Sequence, residues 1–95
     1  MKALIPIYGA GDLKLAEQSV EVLWVAFNIG SSNSRCYLLN GPNATADILW
    51  ECVVLAATTG KFAFDPPMLF TWGLYIDPDT NCDSWVISFR PAQSE

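Results

Sequence analysis

The chain has 95 residues, 52% hydrophobic and 16% charged, with ten acidic side chains against five basic ones and no histidine. That length fits one small domain, and folding it buries only about 60–65% of the unfolded surface. A net charge of −5 offers nucleic-acid phosphates no basic face, and the missing histidine removes the commonest general base and metal ligand.

The first stretch, MKALIPIY, carries one Lys and only a few apolar residues before Gly9, so it is not read as a signal peptide. No uninterrupted apolar run nears the roughly 18–20 residues needed to span a bilayer. The expectation is a chain made and kept soluble inside a cell, with neither a membrane nor a nucleic acid as partner. Pro6 is tolerated on a sheet edge, and Ile5, Ile7 and Tyr8 can anchor, so residues 1–8 read as an edge strand or contact arm. Deleting them is expected to weaken partner binding and leave the fold intact. The GAG of Gly9–Gly11 lacks the third glycine of a dinucleotide fingerprint, since position 14 is Lys, and it reads as a flexible corner.

Turn signals then recur at Gly30–Ser34, Asn40–Asn43, Thr58–Lys61, Asp65–Pro67 and Asp77–Asp83, between runs of β-branched and aromatic residues. Two segments admit two readings. Residues 12–28 can form a helix, capped by Asp12, with Leu13, Ala16, Val20, Leu23 and Phe27 in one stripe. Val20, Val22, Trp24, Val25, Phe27 and Ile29 instead favour a strand. Residues 43–59 pose the same contest, with Asn43 as cap and Gly60 as stop. The reading adopted is all-β: a single small β-sandwich or jelly-roll-like domain over residues 1–95. The alternative is α+β with one or two helices at 12–28 and 43–59. Asp47 and Glu51 would share one face in either case and suit a solvated or partner-facing acidic edge; nothing around them assembles acid–base catalysis. The sequon Asn43–Thr45 has meaning only in a secretory pathway.

At the end of the chain, MLFTWGLYID and SWVISFR read as two antiparallel strands joined by an acidic loop, with Trp85, Ile87 and Phe89 on one face. The loop places Asp77, Asp79, Asn81 and Asp83 at every second position, as oxygen ligands stand in a calcium loop. Position six is Cys82 rather than Gly and position twelve is Ser88, so an EF-hand is excluded. A hairpin corner is the simpler reading, and a different kind of calcium site the alternative. No cofactor is expected. Cys36, Cys52 and Cys82 are odd in number, far apart and without a CxxC pair, and they read as free, mostly buried thiols. Four Trp exceed what so small a core uses, so at least one is expected at an interface. Trp72, beside Gly73 in a tight stretch, is assigned to the core.

Gly60–Pro91, GKFAFDPPMLFTWGLYIDPDTNCDSWVISFRP, resembles the end of small virion proteins of tailed bacteriophages. Those proteins run as a Gly-Lys turn, a short strand, a Pro pair, an F-x-x-GLY stretch and an alternating last strand. EVLWVAFNIGSSNSRCYLLNG (Glu21–Gly41) is similar to their earlier hairpin. The resemblance implies a non-enzymatic capsid decoration, or cement, protein. It would be made in the host cytoplasm, bind the major capsid protein on the virion surface, and associate with itself as a homotrimer. Two other readings stand beside it: a small acidic inhibitor or immunity protein for a basic target, and a tail or baseplate component.

Overall fold

A computed structural model describes residues 6–92, and they form eight strands. These are β1 (Ile7–Gly9), β2 (Leu13–Ala16), β3 (Val20–Ile29), β4 (Ser34–Asn40), β5 (Asp47–Val54), β6 (Thr59–Phe70), β7 (Leu74–Pro78) and β8 (Cys82–Pro91). They build two antiparallel four-stranded sheets, ordered β1-β8-β3-β6 and β2-β7-β4-β5. Only β4 and β5 are joined as ladder neighbours; every other connection passes from one sheet to the other. That wrapping is jelly-roll connectivity, and the small β-sandwich read from the sequence is present. No helix occurs among the described residues, so the α+β alternative falls.

The helix reading fails for a local reason. In β3 the inward residues are Val20 and Val22, then Val25, Phe27 and Ile29. The register slips between Val22 and Trp24 against both β8 and β6, and this bulge moves the inward phase from even to odd positions. An alternation broken in the middle imitates a helical stripe. A second slip, between Leu38 and Leu39 against β5, sets Glu51 opposite Tyr37 and Asp47 opposite Asn40. Positions 37 and 40 of β4 lie on opposite faces, so Asp47 and Glu51 do not share one.

The terminal hairpin is also corrected. The stretch around MLFTWGLYID is not one strand: it breaks at Gly73, whose φ of 131° suits only glycine, into the end of β6 and the start of β7. β7 lies in one sheet and β8 in the other, so the acidic loop arches between sheets. The Gly30–Asn33 turn likewise crosses from β3 to β4 rather than closing a hairpin. Trp72, assigned to the core from sequence, is 74% exposed. Asp65–Pro67 is no turn but part of β6, where the register against β3 jumps from Met68 to Ala63 and two residues without N–H are tolerated at an edge.

The core between the sheets is continuous. Val22, Val25, Phe27 and Ile87 from one sheet meet Cys36, Leu38, Leu74 and Ile76 from the other, all fully buried. Trp85 closes the β1/β2 side: its indole lies against Gly9, where an added Cβ would stand 2.4 Å from the ring, and its Nε1 donates to the Gly11 carbonyl at 2.8 Å. The glycines of GAG are therefore the seat of a core tryptophan. Trp50 closes the β5/β6 side, stacked on Phe27 at 6.4 Å and edge-on to Phe62 and Phe64 at 5.0 and 5.5 Å.

Candidate functional site

The acidic loop was the sharpest chemical candidate in the sequence, and its geometry is that of a fastener. Asp79 Oδ1 accepts from the Ser34 hydroxyl at 2.6 Å and the Asn81 N–H at 2.9 Å, while Oδ2 accepts from the Arg35 N–H at 2.9 Å. Burial works against its charge, yet those donors and the Arg35 cation outweigh it and hold the carboxyl below its usual range. Asn81 donates from its side chain to the Asn33 carbonyl and accepts from Gly30 N–H, so the β7–β8 arch is laced to the β3–β4 turn. Ala56 N–H to Asn33 Oδ1 and Ala57 N–H to the Gly30 carbonyl bring in the β5–β6 turn. Asp83 lies against Gly30.

Asp77 is elsewhere. It sits in β7 opposite Tyr37, and burial first, then the Asp12 charge, push its carboxyl above the usual range. Asp12 in turn accepts from the Tyr75 hydroxyl at 2.8 Å. The four residues that alternate in sequence are thus split among β7 (Asp77), the hydrogen-bonded turn (Asp79 and Asn81) and β8 (Asp83). Among the described residues no group of three or more His, Cys, Asp or Glu is placed to hold a metal ion.

Two open grooves offer little chemistry. One, of about 420 Å³, runs past Leu15, Ala16, Gln18, Val20 and Phe89; its carboxylate, Glu17, is paired with Lys14. The other, of about 190 Å³, is shallow and lies over Ala26, Asn28, Ser84 and Val86 beside Tyr8. The described basic residues are each engaged: Lys14 with Glu17, Arg35 with Glu51 at 3.8 Å, Arg90 with Glu21 at 2.9 Å, and Lys61 over the Trp24 ring at 5.0 Å.

The feature that stands out is where apolar side chains reach water. Ile7 and Tyr8 lie on β1, Leu13 on β2, Ile48, Leu49 and Val53 on β5, and Leu69 on β6; Leu55 and Trp72 lie in the turns leaving β5 and β6. β1, β2, β5 and β6 are the four edge strands, and the central strands β3, β4, β7 and β8 expose no large hydrophobic side chain. Long apolar edges with unpaired backbone groups are what other chains add to. Of the anchors named from sequence, Ile7 and Tyr8 are on this rim, opposite Ile87 and Val86 of β8, and Ile5 lies outside the described residues. The segment is therefore part of a sheet: deleting residues 1–8 removes most of β1, and the better probe is Tyr8→Ala, a side chain 79% exposed. Sequence reasoning placed Asp47 and Glu51 of β5 on a solvated edge, and both are exposed, but it missed the apolar side chains of β5 and Trp72 as surface. β5 reads like a core strand in composition, and its edge position is set only by which strands pair with it.

Compared with protein-family models, curated proteins and solved structures, the chain finds no match.

Proposed function

We propose that this protein is a non-enzymatic adhesive module of a phage virion: a decoration protein that docks on the major capsid protein at the particle surface and associates with itself as a homotrimer. The observation that carries the reading is the rim of exposed Ile, Leu, Val, Tyr and Trp on the four edge strands and the turns leaving β5 and β6. A monomer gains nothing from such a rim, whereas covering it supplies the stability that a domain this small lacks. The Gly60–Pro91 resemblance supports a virion origin. The jelly roll also suits shells, although lectins and cupins share it, so the fold adds little by itself. Symmetric closure is the general solution for like copies that meet through one surface.

Quantitative mass spectrometry of purified virions, counting copies against the major capsid protein, tests the proposal. A ratio within a few-fold of parity is the expected result. A handful of copies would move the protein to the tail or baseplate. Absence from particles, with the protein present in infected cells, would overturn the structural reading in favour of an acidic inhibitor.

A further inference from the structure

Three cysteines that are scattered in sequence meet inside the sandwich. Cys36 of β4 and Cys52 of β5 are directly opposite in an antiparallel ladder that is regular from Ser34↔Val54 to Leu38↔Trp50. Residues so paired have Cα atoms about 4.5–5.5 Å apart, inside the roughly 4.4–6.8 Å that a disulfide spans. Cys36 is fully buried, and Cys52 is half-buried on the edge strand, where a small reagent can arrive. All three thiols are free.

We propose that Cys36 and Cys52 are an oxidisable cross-strand dithiol, which a hydroperoxide converts to a disulfide that fastens edge strand β5 to β4. The neighbouring Cys52 thiol favours the Cys36 thiolate, and the Ser34 hydroxyl lies 3.5 Å from the Cys36 sulfur. This lowers the Cys36 pKa to about 7 and pushes Cys52 up. The pair therefore gives up a first proton near neutrality, from Cys36, and keeps the second on Cys52. The Cys36 thiolate attacks the peroxide oxygen. An S–O bond forms, the O–O bond breaks and hydroxide leaves. The Cys52 sulfur then attacks the sulfenic sulfur, the S–S bond forms, and water departs with the Cys52 proton. Two thiols lose two hydrogens, and one hydrogen peroxide becomes two waters.

Cys82 stands apart. Its Sγ donates to the Ser84 carbonyl at 3.2 Å, and burial first, then the Cys36 charge, push its pKa up to about 12. It is the thiol that survives. The chemistry does not depend on what the rim binds. Its consequence does: oxidation would stiffen the strand carrying Ile48, Leu49 and Val53.

The test treats the folded chain with hydrogen peroxide at pH 8, blocks remaining thiols with an alkylating reagent, and maps peptides by mass. The expected product has no covalent bond between chains, has lost two hydrogens, is cross-linked between the Cys36 and Cys52 peptides and is alkylated at Cys82. Cys52→Ser should abolish the cross-link and Cys82→Ser should keep it. The two variants together guard against Cys36→Ser failing to fold. Persistence of three free thiols, oxidation of Cys52 to sulfinic acid without a cross-link, a bond to Cys82, or a bond between two chains would each overturn the proposal.

Discussion

The two lateral sides of the sandwich are both closed by a tryptophan, and they are closed differently. On the β1/β2 side Trp85 is fully buried, its indole N–H is satisfied by Gly11, and its ring occupies the space that a side chain at position 9 would need. On the β5/β6 side Trp50 is half-buried, stacked on Phe27 and edge-on to Phe62 and Phe64. The β5/β6 side also carries most of the exposed apolar rim, with Ile48, Leu49, Val53, Leu55 and Leu69 against Ile7, Tyr8 and Leu13 across the molecule. A fixed seat serves folding. A looser aromatic cluster beside an open edge leaves apolar surface for a partner, and only the first should be indispensable to the isolated chain.

Truncating each tryptophan breaks the comparison most directly. Trp85→Ala removes a fully buried indole and should cost about 3–5 kcal/mol in urea unfolding, enough to unfold a domain of this size. Trp50→Ala, with part of its ring already in water, should cost roughly half as much. Equal losses would mean that both sides are core, and that the β5/β6 rim is no more adaptable than the other.

Gly9→Ala sharpens the point without touching a tryptophan. The new methyl would stand 2.4 Å from the Trp85 ring, so ring or strand must shift. Such overpacking costs about 1–3 kcal/mol. Trp85 fluorescence should change with it, and unaltered stability would show that the seat is not fitted.

How far the sequence disclosed these features depended on whether the cause was local. The alternation of Trp85, Ile87 and Phe89 was legible because β8 keeps one phase through those residues. β3 was ambiguous because its bulge between Val22 and Trp24 swaps faces halfway along. Which runs pair is non-local, and so the last two strands were read as a hairpin when they belong to different sheets. For the same reason Trp72 was placed in the core, and the exposure of Ile48, Leu49 and Val53 on β5 was not foreseen. The acidic loop was legible as a turn through its Asp, Pro and Asn. That Asp79 fastens it to Ser34 and Arg35, some 45 residues away, was not.

That fastening gives two neighbouring carboxylates opposite roles, and the pH dependence of stability separates them. Asp79 has a folded pKa below its unfolded value. Its stabilisation is fully present above the unfolded carboxylate pKa, about 3.9, and is lost as pH falls through the lower folded value. Asp77 has a folded pKa above its unfolded value, so its charge is a penalty at neutral pH, relieved as pH falls through that raised value. Asp79→Asn should therefore lower the urea midpoint at pH 7, with a loss of about 1–2 kcal/mol for the weakened charged hydrogen bonds. Asp77→Asn should raise it slightly, since its charge is partly in water. The charge-dependent part of both differences should shrink toward acid, where wild-type carboxylates carry protons too. If calcium raised the midpoint of the wild type and the Asp79 variant lost that response, Asp79 would be a ligand as well as a fastener. If calcium leaves both unchanged, the carboxylate is accounted for by the three donors that already hold it.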